Sequence, residues 1–216
     1  MIKNSNSPVN AWISFTDVIL GLLIIIIVFF ILNILNLFEY ITFVQQTKYD
    51  KDRLIELFQK DSDVLSEFVN MDSLVNGKIF LKSDITFDFD SHVINPKGKE
   101  ILEIIGKVYK SFLDENDMKN MIRSKNYTLL IIGHTDTVGD SYYNYNLSQK
   151  RSESVLYFWF KNVFQDSFTK SRYKILGTGV GEKFLIYDTP DEFPCRKNRC
   201  IEITLKSDIL DFVRSN

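Results

Sequence analysis

Two acidic residues stand where a carboxylate can do chemistry. Asp17 lies near the start of the apolar run AWISFTDVILGLLIIIIVFFILNILNLF, residues 11–38. Asp136 follows the apolar stretch YTLLIIG and precedes Arg151. Because an acid inside a membrane span is costly, the first expectation for Asp17 is a role in handling ions. An acid and a guanidinium that face each other could bind a zwitterion, since Arg presents a planar fork to a carboxylate and Asp accepts from an ammonium.

The apolar run has the length and composition of a transmembrane helix. About 20 apolar residues cross ~30 Å of hydrocarbon, and residues 18–32 are apolar throughout apart from Gly21. No small-residue cleavage site follows, so we expect a retained anchor. On a helix, Asp17 shares a face with Gly21, where another helix could approach closely. Its carboxylate could exchange a proton or hold a sodium ion; the alternative is that it lies at the interface and reaches water.

Composition favours one span and one moderate folded domain. The chain of 216 residues has a net charge of −2 and 45% hydrophobic residues, which permits a packed core and lacks the basic footprint of a nucleic-acid-binding protein. No order of Ser, His and Asp or of Cys and His suggests a hydrolase. We therefore expect a binding protein rather than an enzyme, without a cofactor or metal site. His134 has no metal-ligand partner at a useful spacing, and we expect it to organise its loop.

Both cysteines lie near the C-terminus. Cys195 and Cys200 have the spacing C-x4-C, which is a poor zinc signature without further Cys or His residues. The two could form a disulfide if the domain lies outside the cytoplasm. Two reduced, buried thiols are the alternative.

Patterning predicts the elements that position these residues. Residues 39–77 form a connector with apolar residues at helical spacing; this helix could form a dimer, plug an ion path or pack on its own domain. The runs KIFLKSDITFDF, YTLLIIG, YKILGTG and RCIEITLK predict strands. Helices are predicted over 97–113 and 144–164. Strands alternating with helices predict an α/β sandwich over residues 78–216, with the helices on one face of the sheet.

The start of the span carries a family resemblance. The pattern W-I-S-F-x-D-x-x-x-G-L, from Trp12 to Leu22, resembles the single-span segment of MotB-type stator subunits, and among them the ZorB branch. The resemblance implies that Asp17 carries the transported ion, a proton or sodium. It also implies a homodimer whose two helices lie inside a ring of five multi-span partner subunits of the MotA or ZorA type.

A second resemblance covers the domain. The stretch GHTDTVGDSYYNYNLSQKRSESV resembles the OmpA-like peptidoglycan-binding signature, and FDFDSHVINPKGKEIL and NRCIEI fit the same family before and after it. It spans about residues 78–206 and implies recognition of diaminopimelate-type stem peptides, with Asp136 and Arg151 in the leading roles. The sequence departs from the family where Cys200 replaces a second arginine after Arg199. The residues that the resemblance assigns to the site are Asp136, Arg151, Thr135, Asn144, Leu147 and Arg199.

Together the two resemblances imply a topology and a function. Because peptidoglycan lies outside the bacterial inner membrane, residues 1–10 are expected in the cytoplasm and the domain on the periplasmic, cell-wall side. The charges around the span lean slightly the other way. An ion-handling acid joined to a wall anchor predicts the B subunit of an ion-driven motor. The span motif and an N-terminal tail with only Lys3 as a basic side chain favour Zorya-type anti-phage defence over a flagellar stator; a wall tether without transport is the remaining alternative.

Overall fold

The computed structural model describes most of the chain, and it divides into two compact units. Met1–Tyr49 form the first unit and Asp50–Asn216 the second. The described residues are 8–60, 65, 68, 74, 77–88, 90–119, 127–165, 174–187 and 197–207.

The first unit consists of the greater part of helix α1, Pro8–Lys60. Large apolar side chains such as Leu20, Ile25 and Phe30 are all exposed on it. By length and composition this helix could cross a membrane, because it contains a window with a mean hydropathy of 3.4. The Asn33 amide donates to the Phe29 carbonyl at 2.7 Å, so a polar side chain within the apolar run is satisfied by its own helix.

The second unit is a mixed α/β domain, as predicted. Its described strands form one sheet in the order β1-β4-β2-β3, in which β4 is antiparallel to β1 and β2, while β2 and β3 are parallel. The elements in chain order are β1 (Lys78–Lys82), α2 (Ser83–Thr86), α3 (Pro96–Lys119), β2 (Tyr127–His134), α4 (Ser141–Asn162), β3 (Lys174–Gly181) and β4 (Cys200–Ser207).

The core lies between the helices and one face of the sheet. Ile131 on β2 pairs with Ile203 on β4, and both side chains are fully buried. Trp159 on α4 is also fully buried, and its indole N–H donates to the Leu102 carbonyl of α3 at 2.7 Å. At Gly133 a Cβ atom would lie 2.1 Å from the Ser148 carbonyl oxygen, so only glycine lets α4 approach β2 this closely.

One predicted strand is shorter than its sequence pattern indicated. The alternating run KIFLKSDITFDF becomes β1 for five residues only, and the chain then turns into α2. The Ser83 N–H donates to the Arg199 carbonyl at 2.9 Å, and the Thr86 hydroxyl donates to the Lys82 carbonyl at 3.1 Å. These bonds take the chain out of the sheet. Pro96 begins the following helix as predicted.

The end of α1 packs within the second unit. Leu54 and Phe58 are buried in its core, and the Phe58 ring meets Tyr109 edge to face at 5.4 Å. Arg53 donates to both carboxylate oxygens of Glu115, at 3.0 and 2.9 Å. The folded unit thus begins at Asp50, whereas the sequence predicted a domain from residue 78. For residues 50–60 the connector packs on its own domain; the predicted break near 61–63 lies outside the described residues.

This packing predicts a large loss of stability for Phe58→Ala. Removing a fully buried aromatic side chain leaves a cavity and should lower the free energy of unfolding of residues 50–216 by about 3–5 kcal/mol. Urea denaturation followed by far-UV circular dichroism measures the change. Gln59→Ala, at an exposed position of the same helix, is the control and should change stability little. Equal stability of the two variants would show that this segment is not part of the core.

Candidate functional site

A cavity of about 370 Å³ opens in the second unit where α2, the segment that follows it, the loop after β2, helix α4 and the residue before β4 meet. All six residues assigned from the sequence line it. Ser83, Phe87, Asp90 and Tyr143 are among the other residues of its wall. Residues that are far apart in the chain are therefore brought together as the resemblance implied.

Local structure explains how the predicted residues reach the cavity. Strand β2 ends at His134, so Thr135 and Asp136 follow directly at the end of a buried strand. Helix α4 begins at Ser141, where Asp140 caps it by accepting from the Tyr143 N–H at 2.9 Å. Arg151 lies on the buried face of this helix. The helix thereby directs a guanidinium towards the loop that carries the acid.

Arg151 is a buried cation held by neutral groups. Its side chain belongs to a residue that is only 5% exposed. Nε donates to the Ser91 carbonyl at 2.9 Å, Nη1 donates to the Ser83 hydroxyl at 3.4 Å, and the guanidinium lies 5.3 Å from the Phe87 ring centre. Burial lowers the pKa of this guanidinium, and the charge of Asp90 opposes that shift. Nη2 makes no hydrogen bond to any residue that the structure describes.

Asp136 pairs with a different arginine. Its Oδ2 lies 3.6 Å from Nε of Arg199, and the residue is only 4% exposed. Among the described residues no salt bridge joins Asp136 to Arg151, although both line the same cavity. The predicted acid and guanidinium are thus brought together without neutralising each other, and Arg199 partly balances the buried acid.

Thr135 contributes an unused polar group. Its backbone N–H donates to the Gly181 carbonyl at 3.0 Å, which fixes the loop to the end of β3. Its hydroxyl is buried and has no hydrogen-bond partner. Leaving a buried donor or acceptor unpaired costs about 1–3 kcal/mol. A hydroxyl in this condition at the wall of a cavity is a candidate contact for a ligand.

Asn144 lines the cavity, but its amide already has protein partners. Nδ2 donates to the carbonyls of Asp136 and Val138, at 3.3 and 3.0 Å, and to Glu182 Oε2 at 2.8 Å. Gly139, with φ of +96°, allows the loop to turn back towards this amide. Asn144 therefore holds the loop in place. Leu147, half-buried, adds an apolar part of the wall.

Sequence reasoning missed two groups of residues. Glu182, which accepts from Asn144 and from the Ser141 hydroxyl, carried no recognisable signal in its turn. Asp84 and Asp90 also line the cavity, but their alternation with apolar residues had indicated a strand. The proximity of the run DITFDFD to a buried arginine depends on tertiary packing.

His134 organises the base of the site. Nδ1 lies 3.1 Å from the Phe184 carbonyl, and Nε2 lies 3.2 Å from Glu202 Oε2. Both neighbours are acceptors when Glu202 is ionised, so the ring satisfies both only when it carries two protons. Lys78 adds a second cation 2.9 Å from Glu202 Oε1. The described residues contain no group of three side chains that could hold a metal ion.

Cys200 is a buried, free thiol, and burial raises its pKa. Cys195 lies outside the described residues. The reduced thiol that the sequence left open is what the structure has at Cys200, and pairing of the two cysteines stays a prediction.

Comparison with known proteins identifies the class of this domain. The model of the OmpA family matches residues 86–193, half of the chain. The chain belongs to the OmpA family, and its second unit is an OmpA-like domain of the peptidoglycan-binding type. Outer membrane protein A of Citrobacter freundii is 26% identical over 132 residues, which cover 61% of this chain and 44% of that protein. Outer membrane protein A of Salmonella typhi is 30% identical over 103 residues, 47% of this chain and 25% of that protein. This chain thus spans less than half the length of these relatives.

Solved structures share the fold. A putative MotB-like protein from Desulfovibrio vulgaris superposes with a TM-score of 0.51 at 18% identity, covering 76% of this chain and 94% of that one. The periplasmic domain of Helicobacter pylori MotB gives a TM-score of 0.47 at 18% identity, covering 64% and 88%. The first of these likenesses supports the α/β architecture described above.

The Glu202 carboxylate predicts a specific dependence of stability on pH. Burial raises the pKa of Glu202, but hydrogen bonds and charges from His134 and Lys78 outweigh burial and lower it. Its stabilising contribution should therefore be complete above the ordinary pKa of about 4.3, and be lost as pH falls through the lower folded-state pKa. Glu202→Gln should cost about 1.5–3 kcal/mol near neutral pH.

Urea denaturation of residues 50–216 at a series of pH values measures this contribution. The difference in unfolding free energy between the unchanged protein and Glu202→Gln should shrink as the medium becomes more acidic than the folded-state pKa. Glu100→Gln, at an exposed position of α3, should show no such difference. A difference that stays constant across the acid range would mean that the carboxylate charge does not contribute.

Proposed function

We propose that the cavity binds peptidoglycan through stem peptides of the diaminopimelate type. The observation that carries this proposal is the buried Arg151 guanidinium, which has neutral partners and an unused donor in a cavity of about 370 Å³. A ligand carboxylate would supply the negative charge that this buried cation lacks within its own fold. Membership of the OmpA family agrees with that chemistry.

The chemistry of the stem peptide matches the charges of the wall. Diaminopimelate presents a free carboxylate and an ammonium on one carbon. Arg151 binds the carboxylate through charge-assisted hydrogen bonds, while the acidic side, represented by Asp136, accepts from the ammonium. The unpaired hydroxyl of Thr135 offers a further polar contact. No group in this arrangement is set up as a nucleophile with its base, so the domain binds the wall without cleaving it.

Replacing Arg151 tests wall binding. Arg151→Ala in residues 50–216 should weaken sedimentation with purified peptidoglycan about tenfold or more, because a hydrogen bond to a charged group is worth about 1.5–3 kcal/mol. Lys150→Ala removes a positive charge from an exposed neighbouring position and should bind as the unchanged protein does. Undiminished binding by both Arg151→Ala and Asp136→Ala would remove these residues from the site.

We further propose that the chain is the B subunit of an ion-driven motor in the bacterial inner membrane, with Asp17 carrying a proton or sodium. Asp17 is exposed on a helix whose apolar side chains are exposed along its length. In this arrangement two copies of the helix lie inside a ring of five multi-span partner subunits, with the N-terminus in the cytoplasm. The wall-binding domain then lies on the periplasmic side and gives the motor a fixed point against which to work.

Replacing Asp17 separates a motor from a simple tether. Asp17→Asn should abolish ion flux in vesicles that contain the partner subunit, because an amide cannot load and release a cation, while sedimentation with peptidoglycan should persist. Glu39→Gln neutralises an exposed acid later on the same helix and should retain flux. Full cellular activity of Asp17→Asn would leave a wall tether without transport as the function.

The biological setting is the finest part of this proposal. The pattern from Trp12 to Leu22 favours a ZorB-type subunit of an anti-phage defence complex, with a flagellar stator as the second candidate. Both use the same division of work between an acid in the span and an anchor in the wall. Neighbouring helicase or nuclease genes would support defence, and flagellar or chemotaxis genes would support the stator.

A further inference from the structure

The carboxylates that line the cavity differ in how far they are already engaged. Asp136 is buried and lies 3.6 Å from Nε of Arg199, and Asp84 lies 4.0 Å from Nη2 of the same arginine. Asp90 is exposed, and its Oδ1 accepts from the Tyr143 hydroxyl at 2.8 Å. Its Oδ2 accepts no hydrogen bond from any residue that the structure describes. Asp90 therefore keeps one oriented acceptor open towards solvent.

The backbone fixes Asp90 beside the arginine. Asp90 has φ of +51°, in the left-handed region that most side chains avoid but Asp and Asn tolerate. The next residue, Ser91, donates its N–H to the Asp88 carbonyl at 3.2 Å and accepts from Arg151 Nε at 2.9 Å. Backbone strain of this kind persists where the surroundings hold it, and it concentrates at functional sites. The loop thus carries an open acid next to an open guanidinium.

We propose that Asp90 is a second acidic residue of the peptidoglycan-binding site, whose Oδ2 accepts from the ammonium group of the stem peptide while Arg151 binds the neighbouring carboxylate. The assignment rests on the wall-binding function proposed above. Tyr143 is a positioning residue, because its hydroxyl holds Oδ1 of Asp90 and leaves Oδ2 to face the ligand. Asp136, held by Arg199, accepts from the ammonium only in competition with that guanidinium.

The test compares two ligands that differ only in the amine. The full chain in detergent micelles is titrated by calorimetry with the tripeptide L-Ala-γ-D-Glu-meso-diaminopimelate, and with the same peptide acetylated on the diaminopimelate amine. Asp90→Asn should weaken binding of the free-amine peptide roughly three- to tenfold, as expected for loss of a partly exposed charge-assisted bond. It should leave the affinity for the acetylated peptide unchanged. Asn keeps the left-handed backbone accessible, so the change removes charge rather than the loop conformation.

Further variants isolate the contact from general electrostatics. Asp52→Asn makes the same chemical change at an exposed position of α1 outside the cavity and should bind both peptides as the unchanged chain does. Asp88→Asn removes an equal charge from the cavity wall and should cost less than Asp90→Asn. Tyr143→Phe should weaken the free-amine peptide in the unchanged chain but have no further effect beside Asp90→Asn, because it acts only through that carboxylate.

The outcomes distinguish this assignment from the function on which it rests. If Arg151→Ala weakens both peptides and Asp90→Asn weakens neither, wall binding stands and the role of Asp90 is overturned. Equal losses for the free and acetylated peptides, or an equal amine-dependent loss with Asp88→Asn, would overturn it as well. Failure of the unchanged chain to bind either the peptides or peptidoglycan would overturn both proposals.

Discussion

The site depends on one costly arrangement, a guanidinium taken out of water without a carboxylate against it. Arg151 is held by a carbonyl, a hydroxyl and an aromatic face, which orient the cation but supply no negative charge. Desolvation is then only partly offset, so binding of an anion from outside becomes favourable. All three partners come from the segment after β1, so the same contacts that orient the arginine join α4 to that segment and form the cavity wall.

The rest of the domain keeps these groups in place. Strand β4 lies between β1 and β2 in the sheet, and therefore delivers Arg199 beside the loop that follows β2. Glu202, on the same strand, fixes His134 and Lys78 at the base of that loop. The close contact of Gly133 with α4 brings the helix near enough for its buried face to reach the cavity. A polar site is thus positioned by an apolar core that contains none of its charges.

The two units satisfy opposite demands of their surroundings. In the domain, large apolar side chains such as Trp159 are buried and charges are paired or exposed. Along the first unit the apolar side chains are exposed, which is favourable in lipid and unfavourable in water. Asp17 is the exception within that apolar surface, as Arg151 is within the buried face of α4. In each unit the residue proposed to function is the one that its own environment satisfies least.

The sequence by itself determined the features that depend on neighbouring residues. The apolar run, the start of α3 at Pro96, strand β2 and the loop from Thr135 to Gly139 follow from hydropathy, periodicity and turn chemistry, and the motif pattern named all six predicted residues of the cavity. Tertiary structure decided which charges meet. The pairing of Asp136 with Arg199, the bond between Tyr143 and Asp90, and the burial of Phe58 within the domain join residues from separate elements. Local patterns carry no information about such pairs, because the distance between two side chains far apart in the chain is set by how the elements pack, whereas the pattern specifies only each element and the face that it buries.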